Sequence, residues 1–168
     1  MSVTDLQELH AYGHWANRKL LDALSALSDE EFTRNVAGSY GSIRNTFVHA
    51  LSAEWGWLGR CGAQPDRGAR LKSEDYPTLQ SVVDLSRKVE KIAQEFLPTL
   101  TDADLARIVE FSFAPPDTYR MTVEQTLRHG AIHSAHHRGQ VSLLCRMLGH
   151  APGNIDAVFY YAGDVGLR

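Results

Sequence analysis

Histidines are concentrated near the C-terminal end of the chain, where four of the eight fall between residues 129 and 137. Three of them, His129, His133 and His137, are spaced by four residues, and on a helix this spacing turns a side chain by only about 40°. Two imidazoles one helical turn apart can bind a single metal ion at about 2 Å from each nitrogen. The pattern therefore predicts that His133 and His137 are two ligands of a metal site, with a row of hydrogen-bonded histidines as the alternative.

A third ligand must come from another helix, and His49 is the best candidate. It lies beside the apolar residues Phe47 and Leu51 in the middle of a helical segment. A hydrogen-bonded histidine of the core is the alternative interpretation, because buried polar groups normally have partners. His10 and His14 form another pair with helical spacing, and they provide a rival site.

Several other catalytic motifs are missing from the sequence. A carboxylate-bridged di-iron bundle needs Glu-x-x-His, and neither Glu54 nor Glu124 is followed by a histidine three residues later. There is no GxSxG, P-loop or GxGxxG motif, so the usual signals of serine hydrolases, nucleoside triphosphatases and dinucleotide-binding enzymes are missing. Cys61 and Cys145 are too far apart for a CxxC pair, and we interpret both as buried structural residues.

Four long helices would position the candidate ligands. Thr4, Thr78 and Thr122 are the expected N-caps of the first, third and fourth helices, and Gly149 is the expected signal for the end of the fourth. His49 falls on the second helix, and the C-terminal histidines fall on the fourth. Apolar residues recur with the period of an α-helix in segments at about 5–27, 42–60, 79–97 and 122–148.

The segments between these helices complete the predicted architecture. Residues 107–113 and 118–121 could pair as a small β-hairpin before the last long helix, and residues 155–161 could form a short final helix. Residues 66–77 are polar and provide a long crossover between the second and third helices. We therefore predict an all-α fold, a four-helix bundle with this crossover, in a single domain of residues 1–168.

The composition excludes several classes of partner. The formal net charge is −3, from 17 basic and 20 acidic residues. No block of basic residues stands out, so we predict no nucleic-acid partner. The N-terminus lacks the basic start and apolar run of a signal peptide, and no apolar stretch approaches the roughly 18 residues of a membrane span. We therefore expect a cytoplasmic protein without a membrane partner.

Three stretches of the sequence carry motifs of a known superfamily. The segment from His133 to Gln140 is HSAHHRGQ, and it is followed by the helix end Arg146-Met147-Leu148-Gly149. In these features the chain resembles the DinB/YfiT-like superfamily of metal-dependent enzymes, whose hallmark is HxxxHRGQ followed by R-x-L-G. The resemblance extends to Trp15-Ala16-Asn17 with Leu20, to Ser42–His49 with Glu54 and Trp57, and to Pro152, Asp156 and Tyr160.

The resemblance implies a metal centre in which His49, His133 and His137 bind one divalent ion. We expect zinc or nickel, with iron and manganese as alternatives, because imidazole suits several transition metals. His129, one turn earlier, would be a neighbour of the centre and not a primary ligand. Gln140 lies on the ligand side of the helix and would hydrogen-bond to a ligand. The resemblance also implies a four-helix bundle that assembles as a homodimer.

Thiol S-transfer is the working hypothesis for the activity. Members of the superfamily that resemble this chain are thiol transferases or thiol-dependent isomerases, so we expect a low-molecular-weight thiol and a small electrophile as partners. Three protein ligands would leave a coordination position open, as in catalytic zinc sites. A metal-dependent hydrolase and a non-catalytic metal-binding scaffold of a damage or stress response are the alternatives. We expect Arg138 in a surface or dimer salt bridge, and Glu54 in a structural role.

Overall fold

Four amphipathic helices form the body of the protein, which is described by a computed structural model over residues 1–36, 38–63 and 70–163. The long helices are α1 (Val3–Leu24), α3 (Ile43–Cys61), α4 (Leu79–Phe96) and α5 (Val123–Met147). The shorter elements are α2 (Asp29–Thr33), the strands β1 (Ile108–Phe111) and β2 (Tyr119–Thr122), and α6 (Ala157–Tyr161).

Capping side chains determine where the long helices begin. Thr78 and Thr122 each accept a hydrogen bond from the backbone N–H three residues later, as predicted. The prediction of Thr4 as the N-cap of α1 was wrong. That helix begins after Ser2, which forms a reciprocal capping box with Asp5, and this arrangement satisfies two backbone N–H groups at once.

The pairing of α3 with α5 is the most extensive contact between elements, and α1 and α4 pack on the same core. Gly130 of α5 allows a close approach, because a Cβ atom there would lie 3.3 Å from Cβ of Trp57 on α3. Burial of apolar surface supplies the main stabilisation of such a bundle. Its central side chains, all buried, are Leu20, Phe47, Leu51, Leu58, Val89 and Leu127.

The predicted hairpin is confirmed. Strands β1 and β2 pair antiparallel, with Ile108 opposite Thr122 and Phe111 opposite Tyr119. In the predicted crossover, residues 66–69 lie outside the described residues, and the remainder contains one 3-10 turn at Ser73–Asp75. Within the described part of the chain, no helix is long and apolar enough to span a bilayer.

The close approach at Gly130 gives a matched pair of substitutions on one helix. We expect Gly130→Val to lower the free energy of unfolding by about 1–3 kcal/mol, because the new side chain must displace Trp57. Gly139→Val should change it by less than about 1 kcal/mol, since a Cβ at Gly139 meets nothing within 4 Å. Denaturant unfolding of both variants measures the difference, and equal losses would contradict the close packing of α3 against α5.

Candidate metal centre

The structure brings His49, His133 and His137 together at one place in the bundle. One ligand nitrogen from each lies within 4.8 Å of the others. The ring centroids are 5.2 Å apart for His49 and His133, 4.6 Å for His49 and His137, and 4.4 Å for His133 and His137. Nε2 of His137 lies 3.2 Å from Nε2 of His133. Two ligands of a tetrahedral ion with bonds of about 2 Å are roughly 3.3 Å apart, so the pair has ligand spacing.

The protonation state of these imidazoles also suits a metal. Burial, together with the charges of His137 and Arg70, lowers the pKa of His49 to about 4. Burial and the neighbouring histidines lower the pKa of His133 to about 4, and burial lowers the pKa of His137 as well. All three are therefore neutral at neutral pH. Neutral imidazole is the form that binds a metal ion, so this donor set fits a divalent transition metal.

Two further side chains orient the cluster. Gln140 accepts a hydrogen bond at its Oε1 from Nδ1 of His137 at 2.6 Å. Oε1 of the same amide also accepts from Ser39 Oγ at 2.7 Å. With Nδ1 of His137 donating, its Nε2 is left with a lone pair that faces His133. A hydrogen bond of this kind fixes both the tautomer and the ring orientation of a ligand.

Tyr40 is a neighbour of the cluster that the sequence did not identify. Its hydroxyl lies 2.9 Å from Nε2 of His49, and the two rings stack with centroids 3.9 Å apart. Positive φ angles of 117° at Gly38 and 86° at Gly41 let the chain turn on either side of the tyrosine. The available signal in the sequence was an aromatic residue between Gly38 and Gly41.

His129 lies beside the centre, not in it. The side chain is exposed, and its ring packs edge-on against Trp57 at 4.7 Å between centroids. Its centroid is 5.7 Å from that of His133. His129 does not belong to the group of converging nitrogens formed by His49, His133 and His137.

The prediction for Arg138 was wrong, because this side chain is buried. Only 4% of it is exposed, and its guanidinium lies over the ring of Tyr12 and 3.5 Å from Oδ1 of Asn17. A Cβ at Gly13 would lie 3.4 Å from its Nη1, so the glycine makes room for it. Helix α5 packs against both α3 and α1. One residue after His137, the side chain of Arg138 therefore faces α1 instead of solvent.

A second group of metal-binding residue types lies in the core. His10, His14 and Glu54 each offer one ligand atom within 4.8 Å of the others. Burial alone would raise the pKa of Glu54, but the charge of His14 and hydrogen bonds from both imidazoles hold it well below its ordinary value. The sequence identified the two histidines but not their acidic partner. The available signal was an acid within the apolar run of α3.

Comparison with known proteins identifies the family. Residues 1–164 match the family described as the DinB family. The chain belongs to the DinB family. It is 19% identical to Protein DinB of Bacillus subtilis strain 168 over 157 residues, which are 91% of each protein. It is 28% identical to the uncharacterized protein YizA of the same strain over 126 residues, which cover 75% of this chain and 77% of YizA.

A solved structure supports the fold of this DinB-family protein. The crystal structure of a DinB-like protein from Bacillus cereus ATCC 10987 superposes with a TM-score of 0.70 at 22% identity. The match covers 91% of this chain and 97% of that chain. The helical bundle and the motif resemblance therefore agree with family membership, while the names of these relatives specify no reaction.

The lowered pKa values of the cluster can be measured in the metal-free protein. We expect the imidazole NMR resonances of His49 and His133 to titrate near pH 4, and not near the ordinary value of about 6.5. The unfolded chain then binds protons more readily than the folded protein, so stability should fall as pH drops from about 6.5 towards 4. Inflections near pH 6.5 for both rings would contradict the burial of the cluster.

Proposed function

We propose that this DinB-family protein is a divalent-metal-dependent thiol S-transferase that joins a low-molecular-weight thiol to a small electrophile. The observation that carries the proposal is the position of the three-histidine cluster. His49 and His133 are part of the wall of a cavity of about 500 Å³. A metal ion held by His49, His133 and His137 would therefore have open positions on the cavity side, which is the arrangement of catalytic sites.

The cavity has the size and lining of a small-molecule site. Trp57 and Phe113 form an aromatic wall, and Arg60 and Arg70 line the same space. The guanidinium of Arg60 lies 5.0 Å from the centroid of the Trp57 ring, so its position is fixed by stacking. Pockets of a few hundred Å³ with apolar walls and a few polar groups are typical of ligand sites.

Several of the described residues would have separate roles in such a reaction. A bound divalent ion would supply the positive charge that lowers the pKa of a coordinated thiol. Gln140 keeps the His137 ring in its binding orientation, and the aromatic wall excludes water from one side of the thiol. Tyr40 also lines the cavity, and its hydroxyl, now 2.9 Å from Nε2 of His49, could donate a hydrogen bond to a substrate once an ion bound that nitrogen. In the overall reaction the S–H bond is replaced by an S–C bond, the thiol proton is released, and the leaving group departs with its electron pair.

The two alternatives make different demands on this cavity. A metal-dependent hydrolase needs a general base for its water; none of the described residues that line the cavity is an Asp or Glu, so His129 would have to take that role. A purely structural metal site is normally closed by four protein ligands, whereas this cluster contains three histidines beside open space. Zinc or nickel as the ion, a homodimer, and a cytoplasmic location remain predictions from the sequence.

Metal binding by the cluster can be tested with two histidines of one helix. We expect His133→Ala to remove one equivalent of bound zinc per chain relative to the wild type, because two imidazoles hold the ion far less tightly than three. His129→Ala, which changes a neighbouring imidazole outside the cluster, should keep the wild-type content. Equilibrium dialysis followed by elemental analysis measures both. An unchanged zinc content in His133→Ala would exclude this ligand set.

Thiol binding can be tested with cysteine as the probe and serine as its matched control. Cysteine should raise the melting temperature of the zinc-loaded wild type more than serine does, because a ligand stabilises only the state that binds it. The difference should vanish in the zinc-free protein and in His133→Ala.

With 1-chloro-2,4-dinitrobenzene as electrophile, the zinc-loaded protein should accelerate thioether formation. Equal effects of cysteine and serine, with no acceleration, would overturn the transferase proposal and favour a scaffold.

A further inference from the structure

We propose that His10, His14 and Glu54 form a second metal site, distinct from the three-histidine cluster in its residues and in its donor chemistry. The two sites share helix α3, because His49 and Glu54 lie on it one and a half turns apart. The second site does not depend on the proposed transferase activity.

The geometry of the triad converges on a single carboxylate oxygen. Nδ1 of His10 lies 3.2 Å from Oε1 of Glu54, and Nε2 of His14 lies 2.9 Å from the same atom. The two histidines are one turn apart on α1, with ring centroids separated by 6.1 Å. These separations are close to those between ligands of one metal ion. To bind an ion there, each imidazole would carry its proton on the nitrogen that faces away from Glu54.

The three side chains of the triad are more deeply buried than histidine and glutamate side chains usually are. His10, His14 and Glu54 are exposed by only 3%, 4% and 4%. Nε2 of His10 is buried, and no hydrogen-bond partner for it exists among the described residues. A buried carboxylate and two buried imidazoles are costly unless they are paired or coordinate a metal. In the triad this requirement is met by the two hydrogen bonds to Glu54, and an ion shared by all three side chains would meet it by coordination instead.

The charges that face the triad come from three helices. Arg138 of α5 and Arg18 of α1 are positive, while Glu90 of α4 adds a second carboxylate next to His14 and pairs with Arg18. Without an ion, the positive charge of Arg138 and the hydrogen bonds from His10 and His14 stabilise the charge of Glu54. A divalent ion would require both imidazoles to be neutral, and since Glu90 already pairs with Arg18, Glu54 would be the carboxylate that offsets the charge of the ion.

A second cavity lies beside the two histidines of the triad. It has a volume of about 340 Å³ and is lined by His10, His14, Arg18, Glu90 and Tyr160, but not by Glu54. Water or a small ligand would therefore reach an ion bound by the triad from the side of the two histidines. The three-histidine cluster faces a different cavity, in which none of these residues takes part.

The donor set indicates the class of ion. Two histidines and one carboxylate with open positions are typical of non-haem iron(II) sites and also of catalytic zinc sites. The harder oxygen ligand distinguishes this triad from the three imidazoles of the first cluster. We therefore assign it to a divalent first-row metal ion, for which cobalt(II) and zinc(II) are practical probes.

Stoichiometry distinguishes the two sites, with cobalt(II) as the titrant and isothermal calorimetry as the readout. The wild type should bind two equivalents, His133→Ala should retain one, and His133→Ala combined with His14→Gln should retain none. Glu54→Gln in the His133→Ala background should weaken the remaining equivalent by more than the about 10- to 100-fold that changes next to a ligand produce. Far-UV circular dichroism verifies that each variant is folded.

A second variant serves as a control in case a substitution of a proposed ligand prevents folding. Glu90→Gln, which changes the carboxylate outside the ligand set, should keep the second equivalent with a smaller loss of affinity than Glu54→Gln. If wild-type protein binds one equivalent that His133→Ala abolishes, the triad holds no metal and this inference is overturned, while the first site stands. If one equivalent survives His133→Ala but disappears with Glu54→Gln, the inference stands even if the wild type binds no other ion.

Discussion

The close packing of α3 against α5 is the constraint on which the site depends. It brings His49 of α3 to the two imidazoles that α5 presents one turn apart. Gly130 permits this distance, because any side chain there would push against Trp57. A metal site tolerates ligand displacements of only a few tenths of an ångström, so the spacing of two backbones determines whether the three nitrogens can bind one ion.

The same two helices connect the histidine cluster to the rest of the core. His137 faces the cluster, while Arg138, the next residue, faces α1 and lies over Tyr12. In the same way α3 presents His49 to one cavity and buries Glu54 against His14. The bundle therefore holds two groups of titratable side chains on opposite flanks of one helix pair. Buried polar groups of this kind cost stability unless every member has a partner.

The sequence predicts the parts of the structure that are local. Hydrophobic periodicity and the capping threonines located α4 and α5 to within one or two residues, and the spacing of four predicted the shared face of His133 and His137. The sequence could not predict which side chains of one helix contact another helix. Arg138 was placed at the surface because the period of α5 does not show that its flank packs on α1. Tyr40 and Glu54 reach their histidines only through tertiary packing, which no spacing along the chain encodes.

The most direct test of the central claim is anomalous X-ray diffraction at the zinc edge from crystals grown with zinc. The account predicts a strong anomalous peak between His49, His133 and His137, at about 2 Å from one nitrogen of each ring. A structure in which the three imidazoles are well ordered around a position without anomalous signal would contradict the metal centre.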